Sequence, residues 1–417
     1  MNNGNNYMRV PYGQTVHGEE EIAAVTHVLR TSTQMGKHVR EMENRVAELY
    51  NKKHGIMLNS GSSANYLALE LLNLPKGSEV ITPVLTFSTT VAPLVKSGLV
   101  PVFIDVAPGT YNIDANKVEA MITNKTKAMV IPNLLGNLPD WQQLRLIADK
   151  HNLVVMEDSC DTVGCTIDGK SAGRFTDLST TSFYGSHIIN CAGNGGMLCV
   201  NSEEMMNRAK LLRSWGRSSS LFVESEAIEN RFNIEIEGIR YDAKFIFEAL
   251  GYNWEPSEMG AAFGLVQLDK LQFNIDVRMA HYQAHYQFFS QYADWFILPK
   301  QLPNSRTAWL AFPLTIKESA PFTRTELQIF MEQRGIQTRT VFTGNILRQP
   351  GFKNIQHVAS PEGYPNADAV MRGGILLGCH HGLVQEQMDH MHAAFTDFVA
   401  SKSLTRVAKE RLKDAIM

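Results

Sequence analysis

Apolar and polar positions follow two different spacings along the first 200 residues of the chain. Short apolar runs predict buried strands, namely EVITPV (79–84), VPVFIDV (100–106), AMVIPNLL (128–135), LVVMEDS (153–159), TTSFYG (180–185) and GGMLCV (195–200). Stretches with the roughly 3.6-residue spacing of amphipathic helices lie between them. Strands that alternate with helices are typical of a mostly parallel sheet covered by helices on both faces. We therefore predict an α/β fold.

The pattern changes after Val200. Residues 218–242 are polar and have no clear period, and we interpret residues 218–248 as a flap or an insertion. Helical spacing returns from Ser257 to Tyr292, and shorter mixed elements follow from Trp295, which predicts a smaller α+β domain. We place a large domain at residues 1–275, including an N-terminal helical arm and the flap, and a small C-terminal domain at residues 276–417.

Composition narrows the classes of function. The 417 residues are 44% hydrophobic, enough for a large core, and the net charge of −3 predicts neither a nucleic-acid nor a membrane partner. A charged leader and an apolar run of the roughly 18 residues that span a bilayer are both missing, so we expect a cytoplasmic protein. The five cysteines form no C-x-x-C pair, which argues against a metal site or a disulfide framework.

The segment NSGSSAN, Asn59 to Asn65, lies between a predicted strand and a predicted helix. Gly61 allows close approach of an anion, while helix amides and the hydroxyls of Ser62 and Ser63 supply hydrogen-bond donors. The segment therefore predicts a phosphate cradle. A well-capped helix start explains the same residues equally well.

Two further strand ends carry candidate chemistry. VVMEDSCDTVG places Asp158 and Asp161 at the carboxyl end of a strand, where open α/β sheets bind ligands, although an Asp there is often only a helix cap. In PVLTFSTT, Phe87 follows another strand and either stacks on a flat ring or packs in the core.

Taken together, these motifs resemble the sugar aminotransferase and dehydratase branch of the fold type I pyridoxal-phosphate (PLP) enzymes. NLLGN (133–137), the "SF" of Ser182 and Phe183, and GYNWEPSEMGAA (251–262) extend the resemblance from about Val10 to Phe398. It implies an aspartate-aminotransferase-like fold and a homodimer with a shared active site. It also implies roles for individual residues: Gly61, Ser62, Ser63 and Ser182 hold the cofactor phosphate, Phe87 stacks on the pyridine ring, Asp158 pairs with the ring nitrogen, and Asn253 reaches the phosphate of the neighbouring subunit.

One position departs from the aminotransferases of this branch. Their pattern is S-F-x-x-x-K, with a lysine that forms a Schiff base, whereas SFYGSH here ends in His187, and no lysine occurs between Lys170 and Lys210. An imidazole has no primary amine for a Schiff base but can act as a general base. An ordinary transaminase cycle is therefore not expected. The alternative is a histidine satisfied within the core or a loop.

With a histidine at this position, the chain is similar to a subgroup of this branch, the nucleotide-linked 4-keto-6-deoxysugar 3-dehydratases. The resemblance implies non-covalently bound pyridoxamine phosphate (PMP) or PLP, with His187 removing a proton from the cofactor methylene before the hydroxyl on sugar carbon 3 leaves. Asp158 and Asp161 complete the catalytic set, with Asp161 near the cofactor's ring hydroxyl. The segment RTVFTGNILRQPGF (339–352) resembles a substrate-side segment, which makes Arg339, Phe342 and Asn345 candidate substrate residues. His380 is a further candidate from the pair His380-His381, for which a substrate-side or structural role is preferred to a metal site because adjacent residues on a strand point to opposite faces.

Two routes exist within this subgroup. One uses an iron–sulfur cluster, but SWGRSSSLFVESEAIENRF (214–232) carries serines where that route needs cysteines, so we expect no cluster. The other resembles the GDP-4-keto-6-deoxymannose 3-dehydratases, in which L-glutamate regenerates PMP, although the C-terminal half is closer to the CDP- and dTDP-sugar enzymes. The implied pathway is deoxysugar biosynthesis for a lipopolysaccharide O-antigen.

Three alternatives stay open from the sequence. They are partner-assisted reductive deoxygenation, the same cofactor acting on a non-sugar carbonyl, and a non-catalytic homologue that binds a cofactor or sugar nucleotide. The stretch after His187 is also one residue longer than usual and carries Asn194 where an acidic residue is common, while Glu255 replaces a basic residue. Both changes border the implied site.

Overall fold

The computed structural model of the chain describes residues 8–222, 227–232 and 234–416. Its helices are α1 (Glu19–Thr31), α2 (Lys37–Leu49), α3 (Gly61–Leu72), α4 (Ser88–Lys96), α5 (Trp141–His151), α6 (Glu203–Arg213), α7 (Ile228–Arg231), α8 (Glu258–Asp269), α9 (Leu271–Ser290), α10 (Arg324–Glu332), α11 (Pro365–Gly373) and α12 (Gln385–Ile416). None of these helices is both long enough and apolar enough to cross a bilayer.

Strands form one large sheet and three small ones. They are β1 (His54–Leu58), β2 (Glu79–Pro83), β3 (Val100–Ile104), β4 (Thr126–Pro132), β5 (Val154–Ser159), β6 (Thr166–Ile167), β7 (Lys170–Ser171), β8 (Leu178–Ser182), β9 (Gly196–Val200), β10 (Ile234–Ile236), β11 (Ile239–Tyr241), β12 (Phe296–Ile297), β13 (Ser305–Arg306), β14 (Phe312–Ile316) and β15 (Gly374–Leu377). The six apolar runs of the sequence became β2, β3, β4, β5, β8 and β9, as predicted.

The large sheet has seven strands in the order β1-β9-β8-β5-β4-β2-β3. The pairs from β8 to β3 are parallel, and β9 runs antiparallel to both of its neighbours. The predicted α/β class with a mostly parallel sheet is confirmed. Because β2, β4, β5 and β8 are parallel, their carboxyl ends meet at one edge, where such sheets bind ligands.

Alternate side chains of these strands serve opposite faces of the sheet. Val80 packs with α3 and α6 on one face, while its neighbour Ile81 packs with α5 on the other. Each buried aliphatic side chain of this kind contributes roughly 1.5–3 kcal/mol of transfer free energy. The two apolar layers hold the sheet rigid, and the ligand-binding edge projects from this rigid frame.

The second apolar core surrounds the small antiparallel sheet β12-β14-β15. Aromatic rings from α9, β14 and α12 meet there, among them Phe289, Phe312 and Phe395. The predicted domain boundary at residue 275 falls inside α9, and β13 pairs with β6 from the N-terminal part of the chain. The division into residues 1–275 and 276–417 stays a prediction.

The predicted flap, residues 218–248, contains α7 and the hairpin β10-β11. Residues 223–226 and 233 of this segment lie outside the described residues. Several of its large apolar side chains are exposed, including Ile239, Phe245 and Phe247. Its function as a flap stays a prediction.

Candidate active site

The helix α3 begins where the sequence predicts a phosphate cradle. Ser60 caps it by accepting a hydrogen bond from the Ser63 amide at 3.1 Å. The helix therefore has the capped start that was the alternative interpretation of this segment. A Cβ atom at Gly61 would lie 2.6 Å from the Ser182 Cβ and 2.7 Å from the Cys160 Sγ. Gly61 and Ser182 are therefore in close contact, and only glycine fits at the first position of the helix.

Asp158 lies at the end of β5 and is 5% exposed. Its Oδ2 accepts hydrogen bonds from Asn65 Nδ2 at 2.8 Å and from Thr90 Oγ1 at 2.7 Å, and its Oδ1 accepts one from the Cys160 amide at 3.2 Å. Asn65 lies on α3 and Thr90 on α4, and the sequence analysis assigned neither of them a role at the site. Together these donors fix the carboxylate plane, and Oδ1 has room for one further donor.

His187 lies in the 183–195 turn, which joins β8 to β9. Its Nδ1 donates a hydrogen bond to the Ser182 carbonyl at 3.3 Å. Since a carbonyl only accepts, the proton sits on Nδ1 and the lone pair on Nε2. Burial, reinforced by the charge of Arg278, lowers the pKa of His187 to about 4. The imidazole is therefore neutral near pH 7, with Nε2 as a proton acceptor.

Asp161 lies three residues beyond Asp158, and its Oδ2 accepts a hydrogen bond from the Leu135 amide at 2.8 Å. Burial raises the pKa of Asp161 to about 7, and the nearby charge of Asp158 adds to this effect. A large fraction of Asp161 is thus protonated near neutral pH. In that form its carboxyl group is able to donate a hydrogen bond.

Phe87 and Phe342 form an aromatic pair next to the carboxyl end of β2. Phe87 precedes α4, is 48% exposed and contacts Phe342 edge-to-face with 5.7 Å between ring centroids. The exposed ring disfavours core packing for Phe87. Phe342 has a φ of 38°, a strained conformation of the kind that clusters at functional sites. Arg339 is exposed, and its guanidinium carbon lies 5.5 Å from the ring centroid of Tyr12, which the sequence analysis missed.

Two candidate substrate residues make contacts within the protein instead. Asn345 is buried, caps a short helical turn at the Leu347 amide and donates to Asp368 at 2.8 Å. His380 is fully buried, with its Nε2 3.1 Å from the Pro11 carbonyl oxygen and its Nδ1 accepting from the Gly382 amide. These contacts speak against the predicted substrate contacts of both residues and favour structural roles.

Asn253 is exposed, and its backbone pairs with Ser214. It lies next to Trp254, whose carbonyl accepts a hydrogen bond from the Asn59 amide at 3.0 Å, directly before the cradle. Asn253 is therefore near the cradle of its own chain and open to a second chain. Its predicted contact with the phosphate of a neighbouring subunit stays a prediction.

The arrangement fits a phosphorylated pyridine cofactor. The cradle offers helix amides and the hydroxyls of Ser62, Ser63 and Ser182, and the space next to Gly61 is too tight for a Cβ. Asp158 provides a carboxylate whose Oδ1, already bonded to the Cys160 amide, has room for one further donor such as a protonated ring nitrogen, and Phe87 provides an exposed aromatic face. His187 adds a neutral imidazole with a free lone pair on Nε2.

The chain was compared with known proteins. A family model described as the DegT/DnrJ/EryC1/StrS aminotransferase family matches residues 15–396. The lipopolysaccharide biosynthesis protein RfbH of Salmonella typhimurium is 35% identical over 399 residues, which are 93% of this chain and 91% of the relative. The dTDP-4-dehydro-2,6-dideoxy-D-glucose 3-dehydratase of Saccharopolyspora spinosa is 34% identical over 94% of this chain and 87% of the relative.

Solved structures share the fold over almost the whole length. A crystal structure of GDP-4-keto-6-deoxymannose-3-dehydratase with a trapped PLP-glutamate geminal diamine matches 93% of this chain and 100% of that chain, with a TM-score of 0.82 and 27% identity. The predicted aspartate-aminotransferase-like fold is therefore confirmed.

Proposed function

Because the chain belongs to the DegT/DnrJ/EryC1/StrS aminotransferase family, we propose that it is a PLP/PMP-dependent 3-dehydratase of nucleotide-linked 4-keto-6-deoxysugars. One observation carries this proposal: the Nδ1 of His187 is bound to the Ser182 carbonyl, which leaves Nε2 as a proton acceptor. The resemblance in sequence puts the Schiff-base lysine of the aminotransferases at this position. A relative with 34% identity is named as a sugar 3-dehydratase, and a solved relative with 27% identity is named as another.

The bound cofactor supplies an electron-withdrawing pyridine ring and an amine that reacts with a ketone. Gly61, Ser62, Ser63 and Ser182 would hold its phosphate, and Phe87 would cover one face of the ring. Asp158, fixed by Asn65 and Thr90, would keep the ring nitrogen protonated through Oδ1.

We propose that His187 transfers the proton. Its Nε2 would accept the proton from the cofactor methylene and, as an imidazolium, would return it to the hydroxyl that leaves carbon 3 of the sugar. An imidazole forms no Schiff base with the cofactor, so the side chain of His187 does not prevent the cofactor from interconverting between its aldehyde and amine forms. Asp161, with its raised pKa, donates a hydrogen bond at the edge of the site.

Glutamate is the proposed amino donor, and no iron–sulfur cluster takes part. A solved relative carries a PLP-glutamate adduct, which supports the donor. The positions of the buried cysteines support the proposal that no iron–sulfur cluster is bound. Three different groups of packed apolar side chains contain them: one has Cys379, another Cys165, and the third Cys191 and Cys199. A cluster needs four thiolates within bonding distance of one centre.

Absorbance spectroscopy and borohydride reduction test the proposed cofactor chemistry. Purified protein loaded with PLP should lose its aldehyde band on addition of glutamate and form 2-oxoglutarate. Borohydride treatment followed by peptide mass spectrometry should find no lysine that carries the cofactor. A lysine adduct on wild-type protein would contradict the assignment of His187.

A further inference from the structure

Helix α9 anchors the 183–195 turn from behind. Asn274 Nδ2 donates to the Ile188 carbonyl at 3.0 Å, and Arg278 Nη2 donates to the His187 carbonyl at 3.3 Å. Residues four apart on a helix share a face, so one face of α9 binds two successive carbonyls. The backbone of the catalytic histidine is thus held by side chains that lie about 90 residues further along the chain.

The environment of Arg278 is unusual for an arginine. The residue is 0% exposed, its Nη1 donates to the carbonyls of Trp309 and Leu310 at 3.2 and 3.1 Å, and its Nε donates to His381 Nδ1 at 3.2 Å. None of these partners is a carboxylate, and burial lowers the pKa of Arg278 to about 10. A buried guanidinium costs stability unless it is well paired, so packing alone does not account for it.

The positive charge of Arg278 also acts on His187. The charged groups that face the imidazole are Arg278 from α9 and Asp158 from β5, while the Tyr184 ring lies edge-on, 5.7 Å from it between centroids. After burial, Arg278 lowers the pKa of His187, and Asp158 opposes this effect. His381, in contact with Arg278, is itself kept neutral, since burial lowers its pKa to about 3.

We propose that Arg278 and Asn274 are positioning residues for His187. They fix the carbonyls of His187 and Ile188 so that the imidazole keeps one orientation towards the crevice. Arg278 also joins the turn to the C-terminal part of the chain through Leu310 and His381. This inference rests on the proposed function in that His187 is the base whose orientation matters.

The test measures His187 directly and needs no turnover. Diethyl pyrocarbonate modifies neutral imidazoles, and mass spectrometry of the His187 peptide gives the rate of modification as a function of pH. We expect wild-type rates to be flat between about pH 5 and pH 8, because the pKa is low. In Arg278→Met the midpoint should move to higher pH and the rate at pH 7 should change at least threefold or so, because charge and anchor are both lost.

Three further variants separate the contributions. Arg278→Lys keeps the charge, so its midpoint should stay near that of wild type while its rate changes. Asn274→Leu removes only a neutral anchor and should alter the rate without moving the midpoint. Arg324→Met is the matched control, because Arg324 also donates to a backbone carbonyl, that of Met371, but lies on α10; its profile should equal wild type.

Unchanged rate and midpoint in both Arg278→Met and Asn274→Leu would overturn the inference. Circular dichroism shows whether each variant is folded, and Arg278→Lys serves if Arg278→Met is not. If modification shifts as expected while turnover of every variant equals wild type, the anchor is real but His187 is not the base. That result separates failure of the proposed function from failure of this inference.

Discussion

Among single residues, we propose that His187 decides which chemistry the site can perform. Its Nδ1 is bound to the Ser182 carbonyl, its Nε2 is left with a lone pair, and no lysine lies within the 183–195 turn. A lysine at this position could form a Schiff base, whereas an imidazole has no primary amine and can only move protons. On this proposal, a single side chain separates two reaction classes on one fold.

Replacing His187 with Asn removes the proton acceptor and keeps a side chain of similar polarity. We expect turnover to fall by about 10²–10⁴-fold, the usual contribution of a general base, while PLP affinity changes little because the cradle is intact. Steady-state kinetics and cofactor fluorescence measure the two effects. His151→Asn, at a surface contact with Glu119, is the control and should behave as wild type. Full activity in His187→Asn would refute the base.

The raised pKa of Asp161 predicts how the free energy of unfolding changes with pH. Burial raises its pKa from 3.8 to about 7, so the folded state holds the proton more tightly than the unfolded state does. Its contribution to stability is fully present below about pH 4 and is lost as the pH rises towards about 7, by up to roughly 4 kcal/mol.

Asp161→Asn cannot ionise and should escape this loss. Urea unfolding of the cofactor-free protein at pH 5 and pH 8 measures the effect, and the stability difference between variant and wild type should move in favour of the variant at pH 8. Equal differences at the two pH values would show that Asp161 titrates normally.

Among secondary-structure elements, the strands were predictable and their polar supports were not. The sequence of a run such as VPVFIDV predicts its burial without knowledge of the rest of the chain, because nearly every residue in it is apolar. Asn65, Thr90, Asn274 and Arg278 carry no such signal, since a polar residue within a helix usually faces water. Their roles arise from the packing of α3, α4 and α9 against distant strand ends. For Asn345 and His380 the sequence suggested substrate contacts, whereas in the structure both side chains are buried and bonded within the protein.

The start of α3 yields a prediction at Gly61. Alanine there would bring a Cβ within 2.6 Å of the Ser182 Cβ, so the helix start or the end of β8 must shift. We expect a loss of about 1–3 kcal/mol in the free energy of unfolding and a PLP affinity at least about tenfold lower. Gly351→Ala is the control, because nothing lies within 4 Å of its Cβ. Unimpaired cofactor binding in Gly61→Ala would argue against the cradle.

For the molecule as a whole, the proposed homodimer with a shared site is open to a complementation test. Asn253 is exposed beside its own cradle, and we propose that it serves the cofactor phosphate of a second chain. Inactive Asn253→Ala and His187→Asn proteins should recover activity when mixed under exchange conditions, because each mixed dimer contains one site with both native residues. Light scattering confirms that dimers are present. If dimers exchange and no activity returns, Asn253 acts within its own chain.

We propose that the site around His187 removes the hydroxyl on carbon 3 of a nucleotide-linked 4-ketosugar. The most direct measurement incubates PLP-loaded protein and glutamate with CDP-, dTDP-, GDP- and UDP-linked 4-keto-6-deoxysugars and analyses the sugar products by mass spectrometry. We predict that one of them yields a 3-deoxy-4-ketosugar, which has one oxygen atom less, with release of ammonia and 2-oxoglutarate. A 4-amino sugar that keeps its oxygen on carbon 3 would contradict the account.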